Sequence, residues 1–322
     1  FANFTTQGMP SGYSSRGGQV IHATDPSLSP LGSSSGSAVA VSSGAVKAAI
    51  GTDTSFSVIA CAQGNGVCAL KPALGMLSDK GIIPLARTFD SAGVLAWDFE
   101  DALRVYNGMR DEPATFKPAE IKGMRIALNL ANEKMVSEEH RAGIDRFISR
   151  VREMGAEVST IDQPPISSMR TIMQCEFREQ LEDYLASSHA SMKTLKEIVD
   201  YYESNPETMM KYGDTALHEA LDGAPLGTGE AKYREAMAER EQLIKSTYEE
   251  LKDFDAVLMT GPSNIMHFCG FPSATLALPE MNSNGYRRCL IMYGADEKRL
   301  FEAVLGFSKR VYSDHIVQVL KK

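Results

Sequence analysis

The chain carries two stretches rich in serine and glycine, GSSSGSAVAVSSG at residues 32–44 and GTDTSFS at residues 51–57. Serine and glycine do not build cores; they form turns and helix starts, and they let the backbone approach a ligand closely. The run of small residues at 37–50, SAVAVSSGAVKAAI, predicts a tightly packed buried helix with a serine cap near its start. Apolar residues with a turn in their middle follow at 57–70. This arrangement indicates a site where backbone groups and hydroxyls meet a ligand.

The sequence further along predicts a strand, a helix and a second strand. MRIALNL at 124–130 is typical of a strand, and residues 137–154 form an amphipathic pattern with Ser137 as the candidate cap. Gly155 would end that helix, and a second strand would follow at 156–160. This order predicts an α/β protein in which at least part of the sheet is parallel.

Residues 168–253 are rich in charge and carry no strand pattern, so they predict a helical insertion or cap on the sheet. The helices expected there cover residues 194–204, 206–222 and 229–251. After them the sequence predicts strands at 255–260 and 273–278 and a closing helix at 296–312.

Composition excludes several classes of function. A net charge of −8 argues against a nucleic-acid partner, because phosphate binding needs clustered Lys and Arg. No apolar run reaches the roughly 18 residues that a membrane span needs, so no membrane partner is expected. The first ten residues, FANFTTQGMP, do not resemble a secretory signal. Five scattered cysteines without a CxxC pair favour free thiols and a cytoplasmic, reducing compartment.

The motifs of metal and nucleotide sites are not found. His218-Glu219 is not followed by a second histidine four residues on, so we expect no metalloprotease helix and no metal site. GSSSGS lacks the lysine of a phosphate-binding loop and does not follow a strand, so we expect no cofactor. Two interpretations of the serine-rich stretches remain, namely a simple turn with a cap, or nucleophilic catalysis.

The two stretches together decide for catalysis. With NGVCALKPALGMLSDKGIIPLARTFDSAG at 65–93, they resemble, in order and spacing, the signature of the amidase signature family of serine hydrolases. Ser33 and Ser57, which match that family's two catalytic serines, are 24 positions apart. The resemblance is dense over residues 8–105 and continues weakly to GPSNIMHFCGFPSATLAL at 261–278.

The resemblance implies a single domain over residues 1–322, an α/β/α sandwich with a central mixed, largely parallel sheet covered by helices on both faces, with 168–253 inserted in it. It implies hydrolysis of a carboxamide to a carboxylate and ammonia or an amine, without a cofactor. The partner would be a small-molecule amide, and a homodimer is compatible with this interpretation.

The resemblance also assigns roles to residues. Ser57 matches the nucleophile that forms an acyl-enzyme, and Ser33 matches the bridging cis-serine, which relays a proton to a lysine. Ser34 is the alternative relay if the match is displaced by one position, and Asp53 would order the turn by accepting backbone hydrogen bonds. The oxyanion hole would be formed by backbone N–H groups of Thr54, Ser55, Phe56 and Ser57.

Three positions depart from the family pattern. No lysine precedes Lys47, which lies where the family has a neutral residue, and Lys71 matches a different, non-catalytic lysine. The catalytic lysine is therefore expected outside this chain, since FANF resembles the middle of a family segment. Phe56 replaces a glycine, and we expect its ring to line the acyl pocket; Cys61, in a segment that replaces Arg-x-Pro, is interpreted as packing.

Two other functions remain open. One is the A-type glutaminase component of a tRNA-dependent amidotransferase, which belongs to the same family and needs partner subunits. The other is a catalytically defective, truncated homologue that acts by binding only, an alternative supported by the missing lysine. In either case the helical insertion is expected to shape the pocket, and the sequence does not specify the substrate.

Overall fold

A computed structural model of the protein describes residues 8–222 and 227–312. Within them, a small ribbon and one large sheet account for the strands. The ribbon pairs β1 (Tyr13–Ser14) with β2 (Gly18–Gln19). The large sheet contains β3 (Ala48–Asp53), β4 (Cys68–Lys71), β5 (Ser91–Ala96), β6 (Arg125–Asn129), β7 (Glu157–Ile161), β8 (Ala256–Met259), β9 (Ser273–Met281) and β10 (Arg287–Tyr293). Their order across the sheet is β3-β5-β4-β9-β10-β8-β6-β7.

Helices connect and cover these strands. They are α1 (Ser35–Ser42), α2 (Ile59–Asn65), α3 (Phe99–Met109), α4 (Glu138–Glu153), α5 (Met169–Ser187), α6 (Leu195–Ser204), α7 (Pro206–Met209), α8 (Thr215–Asp222), α9 (Ala231–Leu251), α10 (Ile265–Cys269) and α11 (Glu297–Gly306). A 3-10 turn covers Glu133–Met135, and a π-helical turn, Phe307–Val311, continues α11. No helix within the described ranges has the length and apolar character needed to cross a membrane.

The sheet is mixed, as predicted, but it is not largely parallel. Among the described strands of this sheet, two pairs are parallel, β6 with β7 and β6 with β8, and the other five pairs are antiparallel. The predicted strand–helix–strand unit gives the parallel pair β6–β7, because a helical crossover returns the chain in the same direction. Elsewhere the expectation was wrong, since β9 and β10 form a hairpin and β3, β4 and β5 alternate in direction.

Helices cover both faces of the sheet, which confirms the predicted three-layer arrangement. Alternate strand residues point to opposite faces. Leu70 and Val94 therefore join one core, with α3, α4 and α11, while Ala69 and Leu95 join a second core, with α1, α2, α9 and α10. All five cysteines are buried free thiols, as their spacing predicted.

The predicted helix at 37–50 is wrong over its second half. Helix α1 begins at Ser35 and ends at Ser42, and Gly44 follows with a φ of 77°, a conformation that ends helices. The chain then turns into β3, which pairs antiparallel with β5. The uniform run of small residues hides this change, because it lacks both a helical and a strand period.

The expected unit at 124–160 is confirmed. Strand β6, helix α4 and strand β7 match the predicted ranges to within a residue. The Ser137 side chain caps α4 by accepting a hydrogen bond from the His140 N–H, and Gly155 ends it with a φ of 91°. Amphipathic periodicity and both end signals agree here, which makes the sequence unambiguous.

Helices α5, α6 and α8 share a third apolar core, whereas α9 packs on the second core. The buried residues of the third core are Leu181, Leu185, Leu195, Ile198, Val199, Tyr202 and Leu217. The single helix predicted over 206–222 is in fact two, α7 and α8, because Gly213 between them adopts a φ of 86°. The closing helix predicted over 296–312 is α11 with its π-helical turn.

Candidate active site

A cavity of about 750 Å³ opens where β3 ends and the chain turns into α2. On the sheet side it is lined by Ser33, Thr52, Thr54, Ser55, Ser57, Asp90 and Asn264. The other walls come from the loop 82–85, from α5 with the residues before it, and from α8. The cavity therefore joins the signature stretches to the helical region.

Asp53 fixes the turn between β3 and α2. Its carboxylate is 1% exposed, and Oδ2 accepts hydrogen bonds from the backbone N–H of Val58 at 2.7 Å and of Ile59 at 3.3 Å. These bonds tie the start of α2 to the end of β3, so the four residues between them must fold into a tight turn. Asp53 thus accepts backbone hydrogen bonds in the way that its sequence context predicts.

A buried histidine lies on the other side of this carboxylate. His267 Nδ1 is 3.1 Å from Asp53 Oδ1, and both side chains are inaccessible to solvent. Burial by itself would raise the pKa of Asp53, but His267, Lys71 and the Val58 N–H together hold that pKa below its ordinary value. The carboxylate is thus ionised at neutral pH and can keep accepting the turn's hydrogen bonds. No local pattern pointed to His267, which lies far along the chain in α10.

Phe56 is not among the residues that line the 750 Å³ cavity, and it lines two smaller neighbouring cavities instead. Its φ is 67°, in the left-handed region that a phenylalanine rarely adopts. The Phe56 ring contacts the His267 ring, with centroids 4.4 Å apart and planes at 62°. This edge-to-face contact joins the turn to α10.

Of the two candidate relay serines, only Ser33 lines the cavity. Ser34 Oγ donates to Thr52 O at 3.1 Å and accepts from Thr52 N–H at 3.2 Å, and its own N–H donates to Ser57 O. These bonds commit the Ser34 hydroxyl to the backbone of β3. The Gly32–Ser33 peptide bond is cis.

The neighbouring serines have structural partners. Ser35 Oγ donates to Leu31 O, and Ser37 Oγ donates to Ile50 O at 2.8 Å. Most of the hydroxyls in GSSSGS therefore hold loop and strand backbone in place. Ser33 and Ser57 remain as the pair of hydroxyl-bearing signature residues that line the cavity and match the family's catalytic positions.

The backbone of the turn offers donors for an anion. Among the residues that the structure describes, no hydrogen bond occupies the N–H groups of residues 54–57. Thr54, Ser55 and Ser57 also line the cavity, and Ser55 Oγ donates to Asn264 Oδ1 at 3.2 Å. Unpaired N–H groups beside a cavity are what stabilisation of an oxyanion requires.

Asp90 connects this turn to the loop at 82–90. Its Oδ1 accepts from Thr54 Oγ1 at 2.6 Å, and its Oδ2 accepts from the backbone N–H groups of Leu85 and Ala86 at 2.8 and 3.0 Å. Burial raises the pKa of Asp90 to about 6, although these three hydrogen bonds oppose the shift. Within the described residues, the hydrogen-bond partners of this carboxylate are the Thr54 hydroxyl and the two backbone N–H groups. Asp90 therefore holds the loop that forms one wall of the cavity against the turn.

The helical wall is mostly apolar. Its lining side chains are Ile166, Met169, Met173 and Phe177 around α5 and Ala216, Leu217 and Ala220 on α8. The charged lining residues of these helices, Arg170 and Glu219, form an ion pair at 3.3 Å. This wall is suited to an uncharged, apolar part of a ligand.

No lysine lines the cavity within residues 8–222 and 227–312. Lys71 is buried elsewhere, where its Nζ donates to Pro72 O at 3.0 Å and burial lowers its pKa to about 8. Cys61 is buried too, and burial raises the pKa of its thiol to about 12, which keeps it protonated and unreactive. Neither side chain lines the cavity.

Comparison with known proteins gives a consistent family. The family model described as Amidase matches residues 3–267. A probable amidase of Arabidopsis thaliana is 26% identical over 340 residues, covering 96% of this chain and 65% of that protein. The A-type component of a glutamyl-tRNA(Gln) amidotransferase of Lactobacillus gasseri is 33% identical over 149 residues, covering 42% of this chain and 31% of that protein.

Solved structures give the same picture. The native peptide amidase of Stenotrophomonas maltophilia superposes with a TM-score of 0.86 at 26% identity, covering 96% of this chain and 72% of that one. An amidase family protein of Bacillus anthracis has the same TM-score and identity, covering 96% of this chain and 66% of that one. The chain spans less than two thirds of the length of these curated relatives and about two thirds of these solved chains.

Proposed function

This chain belongs to the amidase family, as its sequence indicated, and on that premise we propose that the protein hydrolyses a carboxamide through an acyl-enzyme on Ser57. The observation that carries the proposal is the lining of one cavity by Ser57, Ser33 and a turn whose N–H groups are unpaired within the described residues. An amide is a poor electrophile, so an activated hydroxyl and an oxyanion site have to act together on it.

The proposed reaction has two halves. Ser57 Oγ attacks the carbonyl carbon, and its proton passes to Ser33, whose own proton passes to a neutral lysine. The negative charge that develops on the carbonyl oxygen is stabilised by N–H groups of residues 54–57. The lysine's proton returns through Ser33 to the leaving amine or ammonia, and water then hydrolyses the Ser57 ester along the same relay.

The lysine is the component still to be found. The described lining of the cavity contains none, and the matched amidases are longer than this chain. We propose that the base lies in a part of the protein beyond these 322 residues. Without a base, the two serines would leave only weak catalysis by the oxyanion site and substrate binding, which is the binding-only alternative.

We further propose that the substrate carries an apolar acyl part. The helical wall supports this proposal. Contact with Met173, Phe177 and Leu217 removes an apolar group from water, which is favourable, whereas a charged group would lose its hydration there without compensation. A peptide amide or another amide with a hydrophobic side chain fits this wall. The proposed site needs no cofactor.

The glutaminase role is the second candidate, supported by the similarity to the A-type component of an amidotransferase. That relationship covers 42% of the chain, whereas the likeness to the peptide amidase covers 96% of it. Free glutamine is small and charged, so its hydrolysis would make little use of the apolar helical wall. Comparing glutamine with hydrophobic amides as substrates separates the two functions.

A fluorophosphonate probe tests the proposal directly. The full-length protein should gain one adduct, and peptide mapping should locate it on Ser57. Ser57→Ala should remove labelling and lower kcat for a hydrophobic carboxamide by about 10³-fold or more. Ser33→Ala should lower the labelling rate strongly while leaving KM nearly unchanged.

Two variants serve as matched controls. Ser55→Ala removes a hydroxyl from the same turn, and Ser37→Ala removes one from the signature helix; both should keep the Ser57 adduct. An adduct on another residue, or hydrolysis that survives Ser57→Ala, would contradict the mechanism. If the full-length protein gains no adduct at all, the binding-only alternative replaces it.

A further inference from the structure

A cluster of ionisable side chains lies in the helical region, outside the serine site. It brings together Glu203 near the end of α6, Asp214 just before α8 and His218 within α8. His218 Nε2 is 3.2 Å from Glu203 Oε1 and 3.4 Å from Asp214 Oδ2. One imidazole nitrogen and two carboxylate oxygens therefore converge on one point.

Asp214 is the buried member of the cluster. It is 5% exposed, and its Oδ2 is buried without a hydrogen-bond partner in the part of the chain that the structure describes. A buried carboxylate oxygen without a donor costs free energy, so such groups are rare and usually have a partner of another kind. This oxygen points to the same place as His218 Nε2.

The other ring nitrogen of His218 has its own carboxylate. His218 Nδ1 is 3.4 Å from Asp222 Oδ2, one helical turn further along α8. A carboxylate at this position favours a proton on Nδ1, so a metal ion would have to displace only the proton on Nε2. Histidines that bind metals usually have this second partner.

The spacing of the three atoms is close to that of metal ligands. Ligand atoms about 2.0–2.1 Å from a tetrahedral zinc ion lie about 3.3–3.5 Å from one another. The separation of 3.4 Å between His218 and Asp214 falls in this range, that of 3.2 Å between His218 and Glu203 is just below it, and all three atoms lie within 4.8 Å of one another. We propose that Glu203, Asp214 and His218 bind a divalent transition-metal ion, with zinc as the best fit and water as the fourth ligand.

The site would act on the cavity from outside. It would join the end of α6 to α8, and α8 contributes Leu217 and Glu219 to the cavity wall. A bound ion would hold α8 in position and stabilise the helical region by mass action. The ion would take no part in the serine chemistry, because its ligands do not line the cavity.

Calorimetric titration of Zn²⁺ into EDTA-treated, dialysed protein tests this site. We expect one ion per chain and a rise in melting temperature on binding. His218→Ala and Glu203→Gln should each weaken zinc binding at least tenfold, and Asp222→Asn should weaken it about tenfold through loss of the orienting carboxylate. Co²⁺ should give the visible absorption of a tetrahedral complex in the wild type and not in His218→Ala.

His189→Ala is the matched control, because it removes an exposed histidine from the same region without touching the cluster. The buried cysteines offer zinc no accessible competing site. Circular dichroism of each variant establishes that it is folded. Equal zinc binding by wild type and His218→Ala, or the absence of binding and stabilisation in the wild type, would overturn the proposal and leave His218 as an ion-paired imidazolium.

Discussion

The two walls of the cavity are built in different ways. The sheet-side wall consists of short turns held by buried polar groups, with Asp53 and Ser34 bonded to backbone. The helical wall consists of α5 and α8, which pack on their own apolar core and present apolar side chains to the cavity. The cavity thus combines a wall of fixed polar groups with a wall of apolar side chains.

One buried residue connects the two walls. Glu176 of α5 is 1% exposed and accepts hydrogen bonds from the Thr88 N–H and hydroxyl, from Gln180 Nε2 and from the Tyr233 hydroxyl. Thr88 lies in the loop 82–90, in which Asp90 accepts hydrogen bonds from Leu85 and Ala86. The position of the helical wall relative to the turn therefore depends on two carboxylates, since Glu176 binds Thr88 and Asp90 binds Thr54.

The largest expected effect comes from breaking the sheet-side wall at Asp53. Asp53→Ala removes the acceptor for Val58 and Ile59 and leaves His267 buried without its partner. We expect the free energy of unfolding to fall by about 3 kcal/mol and kcat by about 10²-fold. Chemical denaturation and steady-state kinetics measure both, with Asp111→Ala, an exposed change, as the control. A variant with normal kcat would show that the turn does not need this carboxylate.

Asp90 gives the second prediction, a dependence on pH. Its pKa is about 6, so the carboxylate becomes protonated as pH falls through that value. A proton on Oδ1 turns an acceptor into a donor, and the Thr54 hydroxyl must then reorient. We expect kcat/KM to fall up to about tenfold per pH unit below about 6 and to be flat in this range for Asp90→Asn. If kcat/KM of Asp90→Asn fell in the same way at low pH, the titration would belong to another group.

Loosening the connection between the walls should affect binding more than chemistry. Each oxygen of Glu176 accepts two hydrogen bonds. Glu176→Gln replaces one of these oxygens by an NH₂ group, which cannot accept them, so some of these hydrogen bonds must break. We expect KM for a hydrophobic amide to rise about tenfold with kcat nearly unchanged. Glu207→Gln, an exposed change on α7, should alter neither constant. A loss confined to kcat would instead mean that the helical wall positions the turn.

The smallest effect is expected from the helical wall alone. Met173→Ala removes part of the apolar lining and leaves every described hydrogen bond in place. We expect kcat/KM to fall about fivefold for an amide with a bulky apolar acyl part and to stay constant for a small amide. Competition assays with both substrates measure the ratio. Equal losses of kcat/KM for the bulky and the small amide would show that the helical wall does not select for the apolar acyl part.

Sequence reasoning succeeded where local patterns are complete. The unit from β6 to β7 carries an amphipathic stripe, a cap and a terminating glycine, and the signature stretches contain Ser33 and Ser57, which line the cavity together with Ser55. It failed for β5, whose small residues SAGVLA resemble a loop, and for β10, whose RRCLIMY mixes charge with apolar residues. Both strands are defined by their neighbours in the sheet rather than by their own sequence.

The site contains further contacts that no local pattern encodes. The pair formed by Asp53 and His267 joins segments that are far apart in the sequence, and the direction of the Phe56 ring follows from its φ of 67°. The partners of His218 are carboxylates one turn before and one turn after it, and Glu203 lies on another helix. Such contacts arise when distant elements pack, so they become visible only in the fold.

The serines beside β3 have a consequence for the behaviour of the sheet in solution. In the described residues β3 is an edge strand, and edges with free N–H and C=O groups recruit strands from other molecules. Here Ser37 occupies the carbonyl of Ile50, and Ser34 occupies both backbone groups of Thr52. Hydroxyls from the neighbouring helix and loop thus take the place of a further strand at these groups, so the serine-rich segment that resembles a catalytic signature also closes part of this edge to strands of other molecules.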